Sequence, residues 1–132
     1  MERIKFSMDY KIMITNDNHV VAQYTYTPKL FGNVIGKTTV LELYYYDLKS
    51  CNKELLRADC ELQLYKKLYN NSNYFNLLKR NIKSEINNIN KIRLFFIIEN
   101  TMSFLKRKIK EQYEYVNILY DKQKRFNQFS EY

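Results

Sequence analysis

RIKFSMDYKIMITNDNHVVAQYTY, residues 3–26, decides how this chain is read. Ile4, Phe6, Met8, Tyr10, Ile12 and Ile14 share one parity, and Arg3, Lys5, Ser7, Asp9 and Lys11 share the other. Successive side chains of a strand point to opposite faces, so the alternation predicts a half-buried β-strand. NDNH at 16–19 reads as a hairpin turn, because Asn and Asp tolerate left-handed backbone. Val20, Ala22, Tyr24 and Tyr26 then alternate again. Pro28 is expected to end that second strand, since it has no N–H for the ladder.

Downstream, LFGNVIGKTT at 30–39 contains both glycines of the chain, with Lys37, Thr38 and Thr39 after the second. A phosphate-binding loop needs four residues between its glycines and a helix after the lysine. Here three residues separate Gly32 from Gly36, and TTVLELYYYDL at 38–48 is β-branched and aromatic. That composition predicts a third strand. The loop is therefore read as a flexible hairpin connection, not a nucleotide site. Leu41, Leu43 and Tyr45 are expected to face the core. Val40, Glu42, Tyr44 and Tyr46 are expected to face outward, with Tyr44 and Tyr46 as anchors for a partner.

After Gly36 no glycine or proline occurs for 96 residues, which favours helices. Ser50 is the expected N-cap of a helix to about Tyr69, with Leu55, Ala58, Leu62, Tyr65 and Tyr69 inward. NNSN at 70–73 breaks it. A second helix, about 74–90, offers Phe75, Leu78, Ile82, Ile86 and Ile89. A third runs from near Ile92 towards Phe126. Its apolar positions fit a heptad, with Phe95, Met102, Ile109 and Val116 at one site and Ile98, Leu105 and Leu119 at the other; Gln112 and Gln123 interrupt it. KIRLFFII at 91–98 fits a fourth strand equally well. The expected fold is α+β, an N-terminal three-stranded antiparallel β-meander (1–49) followed by two or three helices (50–132), the last one long, in one domain.

The 132 residues, 45% of them hydrophobic, suffice for one modest core. The longest apolar block, Leu94–Ile98, is too short to cross a bilayer, so no membrane role is expected. Two cysteines and the absence of a signal-peptide core at the N-terminus predict a reducing, cytoplasmic setting. Cys51 and Cys60 lie about 900° apart on a helix, on opposite faces, and suit neither a disulfide nor a shared metal. His19, the one histidine, falls in a turn without companions. No acidic pair stands out for acid–base chemistry. The chain is expected to be non-enzymatic, without cofactor or metal.

Charge is the positive signal. The net charge is +8, and 16 of the 22 basic residues are lysine. Asn, Lys, Ile, Tyr and Phe are abundant while Gly, Pro, Ala and Trp are scarce, the pattern of an AT-rich genome in a virus, plasmid or organelle. That bias inflates lysine everywhere, yet it does not explain position. Residues 66–110 carry eleven basic side chains against two acidic ones, Glu85 and Glu99. Lys79, Arg80 and Lys83 occupy neighbouring helical turns, and Lys106, Arg107, Lys108 and Lys110 repeat the theme. Such helices can lie along phosphates and release counterions. The expected function is nucleic-acid binding, or a small accessory subunit in a transcription or replication complex built around a polymerase. The rival expectation is a protein-interaction module, in which Phe95, Met102, Leu105, Ile109 and Val116 pair with a partner helix or a second copy.

Overall fold

The first 45 residues form an antiparallel sheet and the chain from Lys53 forms three helices, giving an α+β fold. The computed structural model describes residues 1–16, 19–45 and 53–130. Strands β1 (Lys5–Ile14), β2 (Val20–Leu30), β3 (Asn33–Val34) and β4 (Thr39–Tyr45) precede helices α1 (Lys53–Tyr69), α2 (Ser72–Glu85) and α3 (Lys91–Ser130). Ser50, Cys51, Tyr46, the turn residues Asp17 and Asn18, and the expected continuation of the third strand over 46–48 lie outside the described residues.

β2 is the central strand. It pairs antiparallel with β1 from Lys5↔Lys29 to Ile14↔Val20, and on its other edge with β4 from Val20↔Tyr45 to Tyr26↔Thr39. Even-numbered residues of β1 and β2 face inward, as the alternation predicts, except Ile14, which is exposed at the end of β1. Pro28 does not end β2, which runs on to Leu30. The Pro28 carbonyl accepts from Ile35 N at 3.0 Å on the β3 side. The missing N–H of Pro28 therefore falls on the edge where β3 and β4 leave a gap, and costs no ladder bond.

The two glycines do different work. Phe31 and Gly32 both have positive φ, 53° and 79°, and join Leu30 to its partner Asn33 in a two-residue hairpin. Positive φ at both central positions is the signature of the type I′ turn, whose twist suits flanking strands. At Gly36 a Cβ would stand 2.9 Å from Pro28 Cγ and 3.1 Å from Leu78 Cδ2. Only glycine lets the β3–β4 connection pass between β2 and α2.

The helix boundaries follow asparagines. Asn71 Oδ1 accepts from Tyr74 N at 3.1 Å and caps α2, so the helix starts earlier than expected. Ile86 adopts extended backbone, φ −112° and ψ 102°, so α2 ends at Glu85 rather than near 90; Asn88, at φ 69°, then turns the chain towards α3. Asn90 Oδ1 then accepts from Arg93 N at 2.7 Å and caps α3. Residues 91–98 are thus helix, not a fourth strand.

One core joins sheet and helices, formed by Ile4, Ala22, Tyr24, Leu64, Leu68, Phe75, Leu78, Ile97 and Leu105 with their neighbours. The chain has only two alanines, and both are wholly buried at close approaches. Cys60 of α1 sits over Ala22 of β2, its Sγ 3.9 Å from the Ala22 carbonyl. Burial pushes the Cys60 thiol up to about 12, so it behaves as a small apolar side chain. Gln112 of α3 donates to the Ala58 carbonyl of α1 at 3.0 Å, and Tyr115 donates to Glu54 at 2.8 Å. Rising numbers on α3 meet falling numbers on α1, so the helices are antiparallel. Among the described residues no helix is long and apolar enough to cross a membrane.

Candidate nucleic-acid interface

The segment before β1 is clamped to the first turns of α3. Ile4 is wholly buried, and its N–H donates to Thr101 Oγ1 at 2.9 Å. Asn100 Nδ2 donates to the Glu2 carbonyl at 2.9 Å. Arg93 holds the Glu2 carboxylate with two bonds, 2.6 and 3.0 Å, and these hold its pKa below the ordinary carboxylate value. With residues 2 and 4 fixed, Arg3 is aimed at one place. Its guanidinium carbon lies 3.5 Å from the centroid of the Phe104 ring.

Two further cations converge on that ring. Arg107 and Lys108 each stand 5.7 Å from the Phe104 centroid. Burial lowers the Arg3 pKa, and the neighbouring Arg107 charge lowers it further. Among the described residues no carboxylate pairs with Arg3. Glu111 reaches Lys108 at 3.5 Å and Arg107 at 3.8 Å, both long and exposed contacts worth little. A ring stacked with guanidinium groups offers a planar surface and positive charge together, which suits an anionic aromatic ligand.

Arg3 also separates two hollows. A cleft of about 810 Å³ opens on the sheet side, between the start of β1 and the β2–β3 hairpin. A second, of about 420 Å³, opens on the α3 side beside Asn100, Ser103 and Phe104.

The chain matches no family model, no curated protein and no solved structure.

The residues singled out in sequence fall in several places. Lys106, Arg107 and Lys110 are exposed on α3 and Lys108 is half-buried. Of this set Arg107 and Lys108 join Arg3 around Phe104, while Lys106 and Lys110 lie on another side of the helix. Lys79 is half-buried, and Arg80 and Lys83 are exposed, on α2. Their helix is tied to the β3–β4 connection through Asn81, which donates to the Ile35 carbonyl at 2.9 Å. The two basic sets thus stand on different helices with different neighbours. Tyr44 lies in β4 opposite Val21.

The heptad face of α3 needs correction. Leu105 is wholly buried, and Met102 and Ile109 are packed against the same core. Val116 is half-buried beside Tyr115, whose hydroxyl bonds α1. Gln112 is part of this face, because its amide bonds Ala58. Phe95 lies off the face, 59% exposed, in edge contact with the equally bare Phe96. An apolar stripe does not say whether its partner is another chain or an earlier helix of the same chain, and here α1 and the core take most of it. The convergence of Arg3 and Phe104 was not legible in sequence, since 101 positions separate them. The one local signal was an aromatic placed directly before LKRKIK.

Proposed function

We propose that the protein is a non-enzymatic nucleic-acid-binding subunit that uses the basic face around Phe104. The observation that carries this reading is the gathering of Arg3, Arg107 and Lys108 on one ring, with Lys106 and Lys110 exposed on the same stretch of α3. Like charges held this close repel, by a few tenths of a kcal/mol for each neighbouring pair. A phosphate backbone laid across them removes that repulsion and releases its own counterions. Role in a transcription or replication complex follows as the setting in which a small basic subunit meets nucleic acid. Fluorescence anisotropy with labelled oligonucleotides over a salt series tests it. Reversal of charge in Lys106→Glu/Arg107→Glu/Lys108→Glu is expected to weaken binding by tenfold or more, and to lower the log–log salt slope by about three. Unchanged affinity would overturn the reading.

A second reading is favoured by the far half of α3. Past Tyr115, where α1 begins, Ile118 and Tyr120 are more than half exposed, as is Tyr113 before it. These side chains suit a protein partner within the same complex. Such pairing should persist as salt rises, whereas polyanion binding should not.

A further inference from the structure

We propose that the 810 Å³ cleft at the β1 start takes one nucleoside phosphate unit, with the phosphate between Lys5 and Lys29 and the base on Phe31. Lys5 and Lys29 are direct cross-strand partners on the outer face of the sheet, and both line the cleft. Like charges placed opposite each other destabilise a strand pair unless an anion lies between them. Arg3 and Ser7 also line the cleft. The one carboxylate lining the cleft, Glu2, is held by Arg93. The cleft is therefore cationic.

Phe31 supplies an exposed ring beside these charges. It occupies the first central position of a type I′ turn at φ 53°, where Asn, Asp or Gly belongs and a bulky side chain is disfavoured. It is 48% exposed, so the core does not require it. Its ring lines the cleft, and the Arg93 guanidinium sits 4.9 Å from its centroid. Neither the turn nor the core accounts for a phenylalanine here, and strained residues of this kind gather at binding sites. Neighbouring Gly32 has open space where a Cβ would be, so the hairpin does not close the cleft. The volume falls within the range of small-molecule sites. A base stacked on Phe31 with its phosphate at the two lysines fits each of these features.

The ligand has two sources, a single strand of nucleic acid or a free nucleotide. The first rests on the function proposed above; the second does not. The test compares wild type with Phe31→Asn, using a labelled thymidine 12-mer, a 12-base-pair duplex, and thymidine 5′-monophosphate followed by ligand-observed NMR. Asn relaxes the turn, so the melting temperature should hold or rise. Single-strand affinity should nonetheless fall roughly tenfold, with duplex affinity unchanged. A more stable protein that binds less is not what a structural role would give. Wild-type single-strand and monophosphate binding retained in Phe31→Asn overturns the inference and leaves the basic face standing. Monophosphate binding lost in Phe31→Asn, with no oligonucleotide bound by wild type, supports the cleft and removes the nucleic-acid function. Absence of all binding by wild type overturns the cleft outright.

Discussion

Thr101 shows how one hydroxyl positions the basic site. It is wholly buried in α3, accepts from Ile4 N at 2.9 Å and donates to the Ile97 carbonyl at 2.7 Å. The Ile97 carbonyl belongs to the helix ladder and tolerates the loss of this extra donor. The Ile4 amide has no such alternative, being buried at a strand start. Thr101→Val preserves volume but leaves that N–H unpaired, so it should cost about 2 kcal/mol. In a domain of this size that lowers the melting temperature by roughly 8 °C, read by circular dichroism. A shift under a degree would mean the amide finds water. The same contact sets the direction of Arg3, so nucleic-acid affinity should drop in parallel. Thr101 stands out in sequence only as a polar residue on the apolar face of a helix. Its partner lies 97 positions away.

At the scale of elements, α1 and α3 are joined by a polar clamp on top of their apolar contact. Arg57 donates to Glu54 and to Glu61, and Tyr115 donates to Glu54. These bonds, that of Arg57 first and Tyr115 second, lower the Glu54 pKa from 4.5 to about 2. The folded value lies below the unfolded one. Its stabilisation is therefore fully present above pH 4.5 and lost as pH falls towards 2. Glu54 is 40% exposed, so solvent screening limits the effect to about 1 kcal/mol. Glu54→Gln should melt earlier than wild type at pH 7 and coincide with it near pH 2. Parallel melting curves with a constant gap across that range would contradict the clamp. Strand alternation and helix stripes were readable because each period reports one buried face. Helix ends were read less well, at 70–73 and 86–90, because Asn71 and Asn90 act as side-chain caps and Ile86 leaves the helix through its backbone, none of which shows as polarity. The clamp itself was invisible, since Tyr115 and Glu54 lie far apart along the chain, and Gln112, which also bonds α1, reads as an interruption.

The chain carries a net charge of +8, and Arg3, Arg107 and Lys108 gather on the N-terminal half of α3. Crowding of like charge opposes the folded state, and salt screens it. The melting temperature should therefore rise between low and physiological salt. The rise should shrink in Lys106→Glu/Arg107→Glu/Lys108→Glu, where the crowd around Phe104 is dispersed. Equal salt dependence in both proteins would mean that Arg3, Arg107 and Lys108 are not under mutual strain. The α3 helix spans about 60 Å against about 25 Å for α1, so its far end runs past the helix that covers it. The sequence by itself determined the α+β class, the three-stranded meander, the inner face of the sheet and the basic character of 66–110. Those properties are local, carried by period, turn chemistry and charge along the chain. Only the tertiary structure decided that α1 and the core take the heptad face of α3, that Arg3 lies on Phe104, and that Lys5, Lys29 and Phe31 surround one cleft. Each of these brings together side chains far apart in sequence, and nothing in a linear pattern encodes which distant neighbour a folded chain will supply.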